Sequence, residues 1–172
     1  MSGEPVSGFG GLTGAVCAAA WEVIQPAIER AATIGLTERR AGCIVVLPPA
    51  PFRDTRVVDQ PDPVFIGLLQ RTADPDLYRT HALAKAQVSW LTGLPSREVY
   101  HSAPHLYRPG MTKWGGSVVR DGLICAFSGV QPFFDEMIAG WMADTVIAYC
   151  RDAAPRQQWP IDPGLVPVSR RQ

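Results

Sequence analysis

The sequence predicts one α+β domain, an antiparallel β-sheet of about five strands flanked by helices, and three observations lead there. Two apolar segments meet at Asp121-Gly122, a strong hairpin signal because Gly accepts the positive φ that a primed turn requires. The run Cys43-Ile44-Val45-Val46-Leu47, closed by Pro48-Pro49, has the β-branched, unbroken apolar character of a buried strand. Apolar residues recur at helical spacing after Thr13, after Asp74 and after Pro132. Consecutive strands joined by short turns run antiparallel, and helices must then cover the sheet.

Length and charge set the outer limits. A chain of 172 residues, 47% hydrophobic and with zero formal net charge, can bury a real core and is expected to be globular. The balance of charge argues against nucleic acid, which demands clustered Lys and Arg; Arg39-Arg40 and Arg170-Arg171 are too short for a binding stripe. No apolar run is long enough to span a bilayer. No secretory signal is read at the N-terminus, and Cys17, Cys43, Cys125 and Cys150 lie far apart among apolar neighbours, so buried free thiols in the cytoplasm are expected.

Taken in order, residues 1–12 read as a flexible, Gly- and Ser-rich lead. Thr13 caps a helix carrying Val16, Ala20, Val23, Ala27 and Ile34, with a kink or break expected near Glu22 because Pro26 removes a donor, and Gly35 as the stop. The strand at Cys43–Leu47 gives way to an insertion at 48–63 with five prolines, which cannot form a ladder and is read as an extended loop or flap. Val64–Leu69 is a second strand. Asp74-Pro75-Asp76 supplies a cap, a proline at the first helical position and an acid in the first turn; the helix ends near Thr92, before Gly93.

Ser96–Met111 is expected to be loop, with a short strand near Leu106-Tyr107. The hairpin follows, then a helix from Pro132 to about Asp152 with Phe134, Ile138, Trp141, Thr145 and Ala148 on one face. The domain therefore spans 13–152, and 153–172 forms a Pro-rich tail.

Candidate chemistry gathers on a few positions. His81 and Lys85 stand four apart on the second long helix and share a face that Ser89 continues; this stripe lines a cavity, or is a helix edge reaching water. Asp135 and Glu136 open the last helix, where the dipole stabilises carboxylates. Adjacent carboxylates point in different directions, and one set beside Ser128-Gly129 could serve as a base, a metal ligand or a lock on Lys85. Gly115 and Gly116 leave room for close approach, and Trp114 directly before them is the aromatic expected near a ligand. No phosphate loop, nucleophile elbow or zinc-protease helix is present.

His81-Ala82-Leu83-Ala84-Lys85-Ala86, Gly115-Gly116, Asp121-Gly122, Ser128-Gly129 and Asp135-Glu136 together resemble the pattern of the GlcG/HbpS-like family over roughly Val16–Asp152. The resemblance implies a profilin-like antiparallel sheet, haem as the cofactor and a homo-oligomer. The chain departs from that pattern in its Pro-rich insertion and in having no histidine before His81.

On that resemblance His105 or His101 would be an axial haem ligand, with Tyr100 and Tyr107 on the porphyrin and Arg108 or Lys113 on a propionate. Trp114, Gly115, Gly116 and Ser128 would complete a cofactor site. The functional expectation is a small-ligand-binding protein for haem or another planar tetrapyrrole. The alternatives are a small-molecule enzyme using Lys85, His81, Asp135 and Glu136 in acid–base chemistry under the flap, and an accessory subunit.

Overall fold

Thr13 accepts a hydrogen bond from the Val16 N–H at 3.2 Å, which caps helix α1, Gly14–Thr33. In this computed structural model the described residues are 11–37, 40–49, 60–69 and 72–153. Most of the expected lead, the centre of the Pro-rich insertion and the C-terminal tail from 154 lie outside them. α1 runs through Pro26 as one helix; Pro26 sits on the exposed side, where the carbonyl it leaves unpaired can meet water. The face α1 buries is Cys17, Ala20, Trp21, Ile24, Ile28 and Ala31. The expected face is corrected by about one position, since Val23, Ala27 and Ile34 are exposed.

Strand β1, Cys43–Leu47, pairs on one side with β2, Phe65–Leu68, and on the other with β4, Leu123–Ser128. β3, Ser117–Arg120, joins β4 through Asp121 (φ 49°) and Gly122 (φ 87°), with Arg120 opposite Leu123. Two successive positive φ angles are what a two-residue primed turn needs. The sheet is antiparallel throughout, in the order β2-β1-β4-β3. It has four strands where about five were expected.

The missing strand is the segment around Leu106-Tyr107. Pro104–Leu106 is a 3₁₀ turn, and the expected loop before it contains a short helix α3, Ser96–His101. Pro95 and Pro104 set helical φ values at the entries to these turns, which favours tight turns over extension.

Helix α2, Pro75–Thr92, is capped by Asp74 and stopped by Gly93 in the left-handed region (φ 74°). It covers one face of the sheet, where Ala82, Ala86 and Trp90 pack on Cys43, Val45, Leu47, Ile124 and Ala126. α1 and helix α4, Pro132–Ala153, cover the other, where Ile28, Ile138, Met142 and Val146 meet Ile44, Val46, Cys125 and Phe127. Coverage on both faces explains why β1 and β4 are apolar without alternation. Each large apolar side chain buried this way contributes roughly 1.5–3 kcal/mol.

On α4 the face toward the core is Ile138, Ala139, Met142, Ala143, Val146 and Cys150, not the expected row through Trp141, Thr145 and Ala148. The small residues let the helix sit close to the sheet while the aromatic ones lie along its flank. The architecture is α+β in a single domain. No described helix is long and apolar enough to cross a membrane.

Candidate functional site

β4 ends at Ser128, and Gly129-Val130-Gln131 turns the chain directly into α4. Asp135, in the first turn of α4, folds back over this turn. Its Oδ1 accepts the Gly129 N–H at 3.1 Å and the Val130 N–H at 2.9 Å. Its Oδ2 accepts Lys85 Nζ from α2 at 2.6 Å, and Lys85 also donates to the Phe127 carbonyl at 3.1 Å. One ion pair thus ties α2, the end of β4 and the start of α4 together.

Lys85 is 4% exposed and Asp135 2% exposed. Burial disfavours charge, so it lowers Lys85 from its ordinary value and raises Asp135; the attraction and hydrogen bond between them act the other way, and for Asp135 the two backbone N–H groups do too. Asp135 takes both backbone N–H groups on Oδ1 and the Lys85 amine on Oδ2, and these contacts favour the charged forms that burial opposes.

Against this pair lies a cavity of about 310 Å³. α2 contributes Leu77, Tyr78, His81 and Lys85 to its wall, which is one helical face. Ser128, Gly129, Val130, Pro132 and Asp135 come from the β4–α4 junction, and Trp114 from the segment before β3 closes another side. Of the positions expected at a site, Lys85, His81, Asp135, Trp114 and Ser128 therefore line one hollow. Trp114 is 61% exposed, so its ring is available to a bound molecule.

The other expected positions lie elsewhere. Gly116 backs the ion pair from behind the wall: a Cβ there would lie 2.9 Å from Lys85 Nζ and 2.8 Å from Asp135 Cβ. Gly115 packs against the Arg97 side chain. Glu136 turns away from Asp135 and accepts Arg97 Nε at 2.8 Å and Nη2 at 3.1 Å, beside a second, shallower hollow lined with Phe133, Met137 and Trp141.

His101 and His105 are exposed on α3 and the 3₁₀ turn, outside the cavity lining. His101 and Tyr107 each set an edge against Tyr100, and Lys113 lies over the Tyr100 ring at 5.8 Å. Ser89 is corrected from cavity stripe to core: it is fully buried, donates to the Leu94 carbonyl and shares a 2.7 Å hydrogen bond with Ser117.

Leu77 and Tyr78 were missed although the signal was present, since they stand four and three residues before His81 on the same helix. Val130 and Pro132 carry no chemical signature and become site residues only through the β4–α4 turn. No group of three or more His, Cys, Asp or Glu side chains among the described residues could hold a metal ion.

No protein-family model matches the chain, and no curated protein matches its sequence.

Proposed function

We propose that this chain is a small-ligand-binding protein that takes a planar, largely apolar molecule into the cavity between α2 and the β4–α4 junction. The observation that carries this reading is the cavity itself: about 310 Å³, with an exposed Trp114 on one side and a buried ion pair in the wall. A concave, mainly apolar hollow with a few convergent polar groups is the usual form of such sites, and this one is at the small end of their range. Haem is the planar molecule that the GlcG/HbpS-like resemblance brings in. Of the three histidines His81 alone lines this cavity, since His101 and His105 lie outside the lining.

Haemin titration tests it, read by both the Soret band and tryptophan fluorescence. A Soret band that His81→Ala abolishes supports haem. Quenching by smaller planar molecules that Trp114→Leu removes supports the cavity with another ligand. Neither signal with any planar probe overturns the reading.

The acid–base enzyme is the second reading, and the 2.6 Å contact of Lys85 with Asp135 in the cavity wall favours it. The chain has two lysines, Lys85 and Lys113, so reductive methylation at neutral pH discriminates. Modification of Lys85 alongside exposed Lys113 supports a reactive amine; modification of Lys113 alone supports a locked pair.

The proposal extends to a cytoplasmic homo-oligomer. Four buried free cysteines suit a reducing compartment, and the exposed Phe133 suits a subunit contact. Light scattering on the purified chain decides the second point.

A further inference from the structure

The polar groups that face this cavity are unequal in kind. Successive β4 side chains alternate between faces, with Cys125 and Phe127 in the core under α1 and α4 and Ile124 and Ala126 in the core under α2. Ser128 therefore projects to the α2 side, where it lines the cavity. It is 7% exposed, and its hydroxyl has no hydrogen-bond partner among the described residues. Its oxygen opens onto the cavity and is left to water or to a bound molecule there.

Lys85 adds a second uncommitted donor. An ammonium carries three N–H groups; Asp135 and the Phe127 carbonyl accept from this one, and no third acceptor is present among the described residues. Asp135, by contrast, already accepts three hydrogen bonds, from Lys85, Gly129 and Val130, and the Lys85 amine balances its charge. α4 starts at Pro132 in the same wall. Its first intrahelical bond runs from the Asp135 N–H to the Gln131 carbonyl, which leaves the N–H groups of Phe133 and Phe134 without an acceptor inside the helix and brings a positive dipole end to the cavity. Ser128 and Lys85 each turn a donor to the lining, while Gln131 Oε1, the acceptor of this junction unpaired among the described residues, is buried outside it, so an acceptor group suits the two donors.

We propose that the ligand of this cavity carries a carboxylate, which accepts hydrogen bonds from Ser128 Oγ and from the free N–H of Lys85 while its apolar body rests on Trp114, Leu77 and Val130. The inference rests on the ligand-binding reading above and names the chemistry of the ligand's polar end. Such a carboxylate could belong to a small aromatic acid or to a porphyrin propionate, and the same donors would serve both.

Two pairs of probes test it: 2-naphthoate against 2-naphthamide, and haemin against its dimethyl ester, each followed by calorimetry and tryptophan fluorescence. Either acid should bind about tenfold or more tighter than its neutral counterpart. Preference within the first pair identifies a free aromatic acid, and within the second a propionate. Ser128→Ala should weaken the favoured acid by about tenfold while leaving the melting temperature unchanged or higher, because the hydroxyl has no intramolecular partner to lose. Neutral probes that bind as well as the acids, with Ser128→Ala without effect, overturn the carboxylate and leave the cavity reading standing. No binding by any of the four overturns both.

Discussion

Gly116 holds its place because of Lys85: a Cβ at 116 would come within 2.9 Å of Lys85 Nζ and within 2.7 Å of the Phe127 carbonyl that the same amine bonds. The backbone there has φ +129°, a region that side-chain-bearing residues rarely adopt. Both constraints act against any substitution. Gly116→Ala is expected to cost about 3 kcal/mol from backbone strain and overpacking together, measured as the shift in urea midpoint. A loss below about 0.5 kcal/mol, the scatter of an ordinary surface change, would show that Lys85 and the carbonyl can move aside freely.

The ion pair makes a sharper prediction because both partners are buried. Removing one leaves the other charged without a counter-ion, so Lys85→Met and Asp135→Asn should each destabilise by roughly 3–5 kcal/mol. The double variant Lys85→Met with Asp135→Asn should recover much of that, since no charge is then stranded. A double-mutant cycle in urea reads this directly. Additive losses would mean that the two side chains contribute independently and that their 2.6 Å contact is not what holds α2 to α4.

Much of this arrangement was legible before any coordinates. The caps Thr13 and Asp74, the stop at Gly93 and the Asp121-Gly122 turn were readable because each depends on local backbone chemistry. A lock on Lys85 is one of three roles the sequence leaves open for a carboxylate beside Ser128-Gly129, and it does not decide between Asp135 and Glu136; the β4–α4 turn makes Asp135 the lock. Ser89 is read toward the site because spacing along a helix reports a shared face but not what that face meets, and Glu136 because it adjoins Asp135 at the start of the last helix. α3 escaped because six residues with two buried positions give no periodicity to read. The buried face of α4 was misplaced because that helix is apolar on several sides, and the aromatic residues suggested a face that the smaller alanines in fact occupy.

The cysteines predict a response to alkali. Burial raises Cys17 from 9.0 to about 12, with Cys150 adding to the effect, and raises Cys43 to about 11. The folded chain therefore keeps these thiol protons after the unfolded chain has lost them. Their stabilising contribution is complete below pH 9.0 and is lost as pH rises through 11 to 12. Cys43→Ala should flatten the fall in melting temperature above pH 9 relative to the parent protein. An unchanged slope would indicate that Cys43 is ionised equally in both states. In keeping with burial of all four thiols, a disulfide reagent should label none of them quickly in the native protein and four once it is denatured.

Glu136 supplies the contrasting case, since it lies next to Asp135 in sequence yet faces another hollow. Its partner Arg97 has a side chain 42% exposed, and Glu136 itself 22%. The pair is two-pronged, with Nε and Nη2 each donating to one carboxylate oxygen, and Arg97 also lies over the Phe133 ring at 5.7 Å. Solvent screening limits what such a pair contributes, to about 1 kcal/mol or less. Glu136→Gln should therefore cost little stability, and binding of planar probes in the Lys85 cavity should stay within twofold of the parent. Asp135→Asn, one residue away, should disturb both. If the two substitutions behaved alike, the division of this acidic pair between a buried lock and a surface bridge would fail, and Glu136 would have to communicate with the cavity through α4.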